Sequence, residues 1–331
     1  MTTTNRMDAF HVLGTEIPEG LTTAEALEFA HMANWNVRTE PLTAVTYEGG
    51  ERREYPVSGR NVILRTSPFT RDPEALGIIG DRWTPFSNES VAGLTDTITE
   101  MSGAQLKTAL VLNGGRKTGL VMEMPEGMTF TSPVTGEKDV TKLNLALFNS
   151  HDGQGSLSAV LTPIRLFCAN QQRMAESTAT SRWLLRHTGE EQVRMAQLRE
   201  LLSESFSYQD VFSRNVQAMI DRSLDEELAR IQLNELFHAN DPDLTERQRE
   251  LRQQTVESVF DLYVGSETVA PFRGTAFGVY NAVTEYTDHY ARVIVPDGGN
   301  EREVRALRTL TSEPMDELKA RAFDLLLPAG V

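Results

Sequence analysis

The chain has 331 residues, 40% of them hydrophobic, and a formal net charge of −15. This length and this hydrophobic content suffice for a large buried core and argue against intrinsic disorder. The acidic balance opposes long-range attraction to nucleic acid, although it does not exclude a local groove rich in arginine. The single cysteine, Cys168, excludes an internal disulfide and a zinc site built from cysteines.

Membrane insertion and secretion are not expected from the sequence. Its apolar runs are far shorter than the roughly 18 residues needed to cross a bilayer. Its first residues lack the basic start and the apolar centre of a secretory signal. We therefore expect a cytoplasmic protein with no membrane partner.

The first half of the chain alternates between strand and helix signals. A helix is predicted from Ala24 to Ala33, capped by Thr22 or Thr23 with Glu25 just after the cap. A second helix is predicted through Met101, capped by Asn88 or Ser90. Strands are predicted from Trp35 to Tyr47, at 61–66, at 76–83, at 107–113 and at 119–124. A polar stretch from 128 to 141 predicts an exposed loop or ribbon.

The stretch 143–173 is the most tightly specified part of the chain. Leucines alternate with small or polar residues from Leu143 to Leu147, and a second alternating run extends from Leu157 to Leu161. This period of two is typical of half-buried strands. The sequence His-Asp-Gly-Gln-Gly between the runs predicts a β-hairpin, because its glycines can adopt positive φ angles. Asn170 then stands where it could cap a helix.

The second half of the chain is predicted to be mainly helical. From about Glu190 to Tyr263, leucines recur at helical spacing opposite charged residues, interrupted at 240–243. These helices could form a homo-oligomer interface, and a solvated bundle packed on the sheet explains their pattern equally well. Further on, Asn281, Glu285 and His289 would share one helical face at i, i+4 and i+8.

Together these signals predict an α+β fold: a mixed or antiparallel sheet with flanking helices on one side, plus a mainly helical C-terminal half. We expect a sheet domain over residues 1–186, centred on the 143–173 hairpin, and a helical region over residues 187–331. The helix at 274–292 is expected to pack back on the sheet, which would bring the polar residues of the hairpin and of this helix into one pocket or groove.

Several motifs spread along the chain match a known family, in the order expected for it. They are His11–Thr15, Leu76–Trp83, Asn149–Gly153, Thr162–Arg165, Cys168–Asn170 and Asn281–His289. With these motifs the chain resembles the phage/plasmid-like protein family, known as domain of unknown function 932. The resemblance implies a product of phages, prophages or plasmids, encoded among genes of early DNA metabolism or host takeover. It implies no particular reaction.

The candidate binding residues are polar side chains of the two densest patches. They are Asn149, His151, Asp152, Arg165, Asn170, Asn281, Glu285 and His289. An exposed His151–Asp152 pair at a hairpin tip could bind phosphate or act as a general base, whereas Asp before Gly is also ordinary turn chemistry. Arg165, in an apolar strand, needs an anionic ligand or a carboxylate such as Glu285 or Asp152.

We expect a non-enzymatic accessory of DNA metabolism, which binds single strands or a replication or recombination protein of the phage or host. No cofactor is favoured. The alternative is a hydrolase dependent on a divalent metal held by His151, Asp152, Glu285 and His289, although the chain lacks a His-Glu-x-x-His or paired-cysteine signature. A third hypothesis is an acidic protein that binds and inhibits a host factor.

Overall fold

The computed structural model describes residues 12–125, 128–136, 138–165, 182–190, 192–193, 195–197, 208–295, 300–311 and 313–328. The predicted α+β fold is confirmed, with a helical C-terminal half. The strands form two antiparallel sheets rather than one. No helix in these ranges is long and apolar enough to cross a membrane.

The larger sheet has the strand order β1-β5-β6-β8-β9-β10, with β7 paired to β8, and the smaller sheet has the order β2-β3-β4. The strands are β1 Gly14–Glu16, β2 Arg38–Glu48, β3 Glu51–Thr66, β4 Pro73–Gly80, β5 Gln105–Leu112, β6 Lys117–Glu123, β7 Met128–Thr131, β8 Lys138–Ser150, β9 Leu157–Arg165 and β10 Arg182–Leu185. The helices are α1 Thr23–Phe29, α2 Asn88–Ser102, α3 Tyr208–Asp221, α4 Glu226–Leu236, α5 Glu246–Gly265, α6 Ala276–Glu285, α7 Glu301–Thr311 and α8 Glu313–Leu326.

Side-chain caps fix where several helices begin. Thr22 caps α1 in a capping box with Glu25, as the sequence predicts. Helix α2 is capped by Ser87, one residue before the predicted Asn88, which leaves the Asn88 side chain available for other contacts. Gly103, with φ of +73°, ends α2 in the left-handed conformation that favours glycine.

The larger sheet is buried on both faces. Leu145 and Leu147 of β8 face the main core together with α2 and the C-terminal helices. Ala146, between them, faces a second cluster that includes Ala306 of α7. The expectation of helices on one side is therefore wrong, because α7 covers the face that was expected to be open.

Helix α6 is the centre of the helical half. Every residue of Ala276–Glu285 is buried, and the helix packs against α3, α5 and α8. It also meets the larger sheet, since the Phe277 ring lies 6.3 Å from that of Phe130 in β7. Nearby, the Ser132 hydroxyl donates to the Pro271 carbonyl at 2.5 Å. These contacts agree with a helix that packs back toward the sheet, and the division at residue 186 stays a prediction.

Candidate functional site

The predicted central hairpin is confirmed, and its loop is buried. Strands β8 and β9 pair antiparallel, with Leu147 opposite Ala159. His151 is 0% exposed and Asp152 is 8% exposed. The expectation of an exposed polar pair at a hairpin tip is therefore wrong.

The smaller sheet covers this loop through glycines that allow close approach. A Cβ on Gly77 of β4 would lie 2.3 Å from the Asp152 carbonyl oxygen, and one on Gly153 would lie 2.1 Å from Cγ2 of Ile79. Asp152 itself performs turn chemistry, because its carboxylate accepts from the Ser150 hydroxyl and from the Gln154 amide.

The orientation of Asn88 determines which nitrogen of His151 carries the proton. The Asn88 amide donates from Nδ2 to the Met32 carbonyl at 2.8 Å, so its Oδ1 is directed at His151. His151 Nε2 lies 3.0 Å from that oxygen, which requires a proton on Nε2. The Thr118 hydroxyl donates to the same oxygen at 3.3 Å. Asn88 thus connects the segment between α1 and β2, strand β6 and the loop after β8 in one buried network.

Two acceptors of this network have no hydrogen-bond partner among the described residues: Nδ1 of His151 and Oδ1 of Asn149. Asn149 is held in place because its Nδ2 donates to the Phe86 carbonyl at 2.9 Å. With Nε2 protonated, His151 Nδ1 is an acceptor in the neutral ring.

Burial keeps His151 neutral. Desolvation, followed by the charges of His187 and Arg65, lowers the pKa of His151 from 6.5 to about 3, against the opposing effect of Asp152. A buried imidazole with so low a pKa is poorly suited to general acid–base chemistry near neutral pH. The arrangement instead makes His151 a neutral hydrogen-bond donor.

Arg65 is a buried cation that the sequence analysis did not single out. Its guanidinium donates to Glu74 Oε2 through Nε at 2.8 Å and Nη2 at 2.7 Å, and its Cζ lies 4.1 Å from the Trp35 ring centroid. Its Nη1 occupies the place where a side chain of Gly115 would begin, since a Cβ there would lie only 1.8 Å away. The Trp35 ring is 5.8 Å from that of His151. Arg65 lies two residues after buried Ile63 in β3, so alternation along the strand puts both side chains on the same face. This signal could have identified Arg65 as buried.

The second predicted patch is buried in the helical half. Glu285 is fully buried and accepts from the Ser266 hydroxyl, at 2.8 Å to Oε2, and from the Thr268 hydroxyl. Asn281, one turn earlier on α6, is also buried. Both residues therefore lie on a helix that has neighbours on all sides.

A π-helical turn separates His289 from Asn281 and Glu285. The chain forms a π-helical turn over Tyr286–Tyr290, in which the Ala291 amide donates to the Tyr286 carbonyl at 2.7 Å. The shared face of Asn281, Glu285 and His289 stays a prediction. His289 is only half-buried.

Asp288, in the same π turn, is buried. The Asp288 carboxylate pairs with the Lys319 ammonium of α8 at 2.5 Å, and both side chains are almost fully buried. Helix spacing did not identify this pair, because a lysine in an amphipathic helix such as α8 is ordinarily expected to face solvent.

The hydrogen bonds described for the two patches lead to different elements. The hydrogen bonds of His151 lead to α2 and to neighbouring strands, whereas those described for Glu285 lead to the segment after α5. Arg165 ends β9 opposite Thr141, but its side chain and all of Asn170 and Cys168 lie outside the described part of the structure. A pocket shared by both patches, and a pairing of Arg165 with Asp152 or Glu285, stay predictions.

A metal centre does not form from the described residues. No group of three or more of their histidine, cysteine, aspartate or glutamate side chains could hold a metal ion. The alternative set of His151, Asp152, Glu285 and His289, all of which are described, does not come together as such a site. A divalent metal as cofactor stays a prediction with no described ligand set.

An exposed two-stranded ribbon extends from the smaller sheet, and the sequence analysis predicted its first strand but assigned no element to residues 51–60. We call residues 43–60, the distal parts of β2 and β3, the ribbon arm. All of its side chains are exposed except half-buried Thr46. Pairing of β3 with β4 begins only at Arg60, so the arm has no third strand.

Each face of the ribbon arm carries one tyrosine and one arginine. Tyr47 lies directly opposite Arg52, while Tyr55 and Arg53 share the other face by alternation. Tyr47 is 70% exposed and Tyr55 is 49% exposed. The Gly49–Gly50 turn at the tip has positive φ at both residues, as a tight hairpin requires.

Comparison with known proteins gives one match. The profile of the family described as Domain of unknown function (DUF932) matches residues 75–319, which include the hairpin loop, α6 and the π turn. No curated protein and no solved structure matches the chain. Since the match covers well over half of the sequence, the chain belongs to the DUF932 family.

Proposed function

We propose that this protein is a non-enzymatic accessory of phage or plasmid DNA metabolism that binds single-stranded DNA through the ribbon arm. The phage or plasmid setting rests on the resemblance described above. The observation that carries the proposal is the pair of exposed tyrosines, each sharing a face with an arginine on a projecting ribbon. A replication or recombination protein of the phage or host would then act on the bound strand.

Exposed tyrosines suit unpaired bases because every base has a flat face for stacking. Such stacking contributes about 1–3 kcal/mol per base and does not depend strongly on sequence. A two-stranded ribbon with no supporting strand is only marginally stable in water. Its hydrophobic and aromatic side chains are therefore more easily explained by a bound partner than by a role in the core.

The local charge of the ribbon arm removes the main objection to an anionic ligand. The chain carries −15 overall, but residues 43–60 contain three glutamates and three arginines. Arg52 pairs with Glu54 and Arg53 with Glu51, and all four side chains are more than half exposed. Exposed pairs of this kind contribute about 0–1 kcal/mol, so phosphate oxygens can replace the glutamates at little cost.

The test is the affinity of the full chain for a labelled oligothymidine, measured by fluorescence anisotropy at low salt and then at rising salt. The double variant Tyr47→Ser/Tyr55→Ser should bind at least about 30-fold more weakly, because two stacking contacts are lost. Substituting Arg52 and Arg53 by Gln should reduce the slope of log affinity against log salt by about 1 to 2.

The matched control is Val45→Ser/Val57→Ser, which removes two exposed apolar side chains from the same arm. We expect its affinity to stay within a few-fold of wild type. Equal losses in both double variants would show that the arm needs its fold rather than its tyrosines. Failure of the wild-type chain to bind at low salt would overturn the proposal.

A further inference from the structure

We infer that His31 and Phe69, with Arg71 beside them, form a second nucleobase-stacking site. It lies at the end of the smaller sheet opposite the ribbon arm. This inference rests on the proposed function. The loop that joins β3 to β4 carries Phe69, and the segment after α1 carries His31. Neither residue belongs to the buried patches or to the ribbon arm.

The two rings form an exposed aromatic platform. Their centroids are 5.2 Å apart and their planes are inclined by 56°. Phe69 is 73% exposed, and His31 is also exposed. An inclined pair leaves one face of the phenyl ring open, which is the surface that a base can cover.

Hydrogen bonds fix the backbone of the two segments that carry the rings. In the Phe69 loop the Ser67 amide donates to the Asp72 carbonyl at 2.8 Å, and the Arg71 amide donates to the Ser67 carbonyl at 3.1 Å. The His31 carbonyl accepts from Nε1 of buried Trp35 at 2.7 Å. A ligand that binds such fixed loops loses little conformational entropy in ordering them.

Strained backbone is concentrated in the same two segments. His31, Asn34, Asn36 and Arg71 all have positive φ, between 46° and 68°. Asn and His adopt this conformation more readily than other residues with a side chain, so the strain is greatest at Arg71. The strain at Arg71 directs the chain around the loop that presents Phe69.

The charge of the platform selects a nucleotide rather than a purely apolar partner. Arg71 is exposed, two residues from Phe69, and has no ion pair with a described residue. A base stacked on Phe69 would place its own phosphate within the reach of such a side chain, and arginine binds phosphate bidentately.

The position of the platform predicts that a bound DNA strand runs along the smaller sheet. β3 extends over sixteen residues from the tip of the arm to this loop, or about 50 Å at the usual rise of a strand. One strand of DNA that binds both the ribbon arm and the His31–Phe69 platform would make two separate contacts with the protein. Each contact can be detected by itself.

The test is ultraviolet crosslinking of the full chain to oligothymidine containing 5-iododeoxyuridine, followed by tryptic mass spectrometry. Cleavage after arginine yields the peptide Thr66–Arg71, which contains Phe69, and the peptide Glu54–Arg60, which contains Tyr55. We expect both peptides to carry crosslinked nucleotide. In parallel, Phe69→Ala should weaken binding at least about 5-fold, the loss of one stacked base.

The control is Ile78→Ala, which removes an exposed apolar side chain from β4 of the same sheet and should leave affinity unchanged. Crosslinks in the arm peptide alone, with unaltered affinity of Phe69→Ala, would overturn the second site and leave the proposed function standing. A crosslink in Thr66–Arg71 alone would support the platform and remove the arm from the interface. No crosslink and no binding by wild type would overturn both.

Discussion

Replacing His151 by Gln should make the protein less sensitive to acid. The pKa of His151 is held at about 3 in the folded chain by burial, whereas the ordinary value is 6.5. Between these values the unfolded chain binds a proton that the folded chain does not bind, so the free energy of unfolding falls as the pH falls. The slope approaches about 1.4 kcal/mol per pH unit, and acidification from pH 7.5 to 4.5 removes up to about 2.7 kcal/mol through this one group. Above pH 6.5 the stabilisation is fully present.

Urea unfolding of both proteins, followed by tryptophan fluorescence from pH 7.5 to 4.5, measures this effect. Gln keeps an amide donor for Asn88 but does not titrate. The free energy of unfolding of wild type should therefore fall by up to about 2.7 kcal/mol more than that of His151→Gln between pH 7.5 and 4.5. The control is His238→Asn, which removes an exposed histidine from a left-handed position that Asn tolerates. A stability difference that does not change with pH, or one that the control reproduces, would refute the assignment of a buried neutral imidazole.

Three further predictions concern stability. Lys319→Met should cost about 3–5 kcal/mol in urea unfolding because it leaves Asp288 charged and buried without its partner, and Lys319→Met/Asp288→Leu should recover much of that loss. Gly77→Ala should lower the melting temperature and cost about 1–3 kcal/mol, because its methyl group would meet the Asp152 backbone. Gly265→Ala is the control and should leave the melting temperature unchanged, because the space around Gly265 is open. Thr245→Ala should cost about 1 kcal/mol in the same measurement, because it removes the capping box of α5; a smaller loss would mean that packing alone fixes that end.

Local signals in the sequence predicted several elements correctly. The Thr22–Glu25 capping box and the hairpin between β8 and β9 depend on residues a few positions apart, and the structure confirms both. The sequence also predicted β5, β6, β8 and β9 of the larger sheet, but not β1 or β10. It could not predict which sheet a strand would join, because the separation of the three-stranded sheet depends on packing between distant segments.

The burial of His151 illustrates what periodicity cannot supply. His-Asp-Gly between two strands predicts a turn, and turns usually face solvent. Here the smaller sheet covers the turn, through a contact between Gly77 and Asp152 that depends on tertiary packing. The π turn at Tyr286–Tyr290 was missed for a related reason, since a helical wheel assumes one constant angle per residue.

These differences change where the function should be sought. The sequence pointed to dense polar patches, and the hydrogen bonds described for His151 and Glu285 lead to other groups within the protein: His151 donates to Asn88, and Glu285 accepts from Ser266 and Thr268. Buried hydrogen-bonded networks of this kind specify how layers fit together. A ligand that needs solvent access must instead meet groups that the fold leaves exposed. Because aromatic side chains beside arginines are exposed at both ends of the smaller sheet, that sheet, and not the central hairpin, is the surface to which binding experiments should be directed.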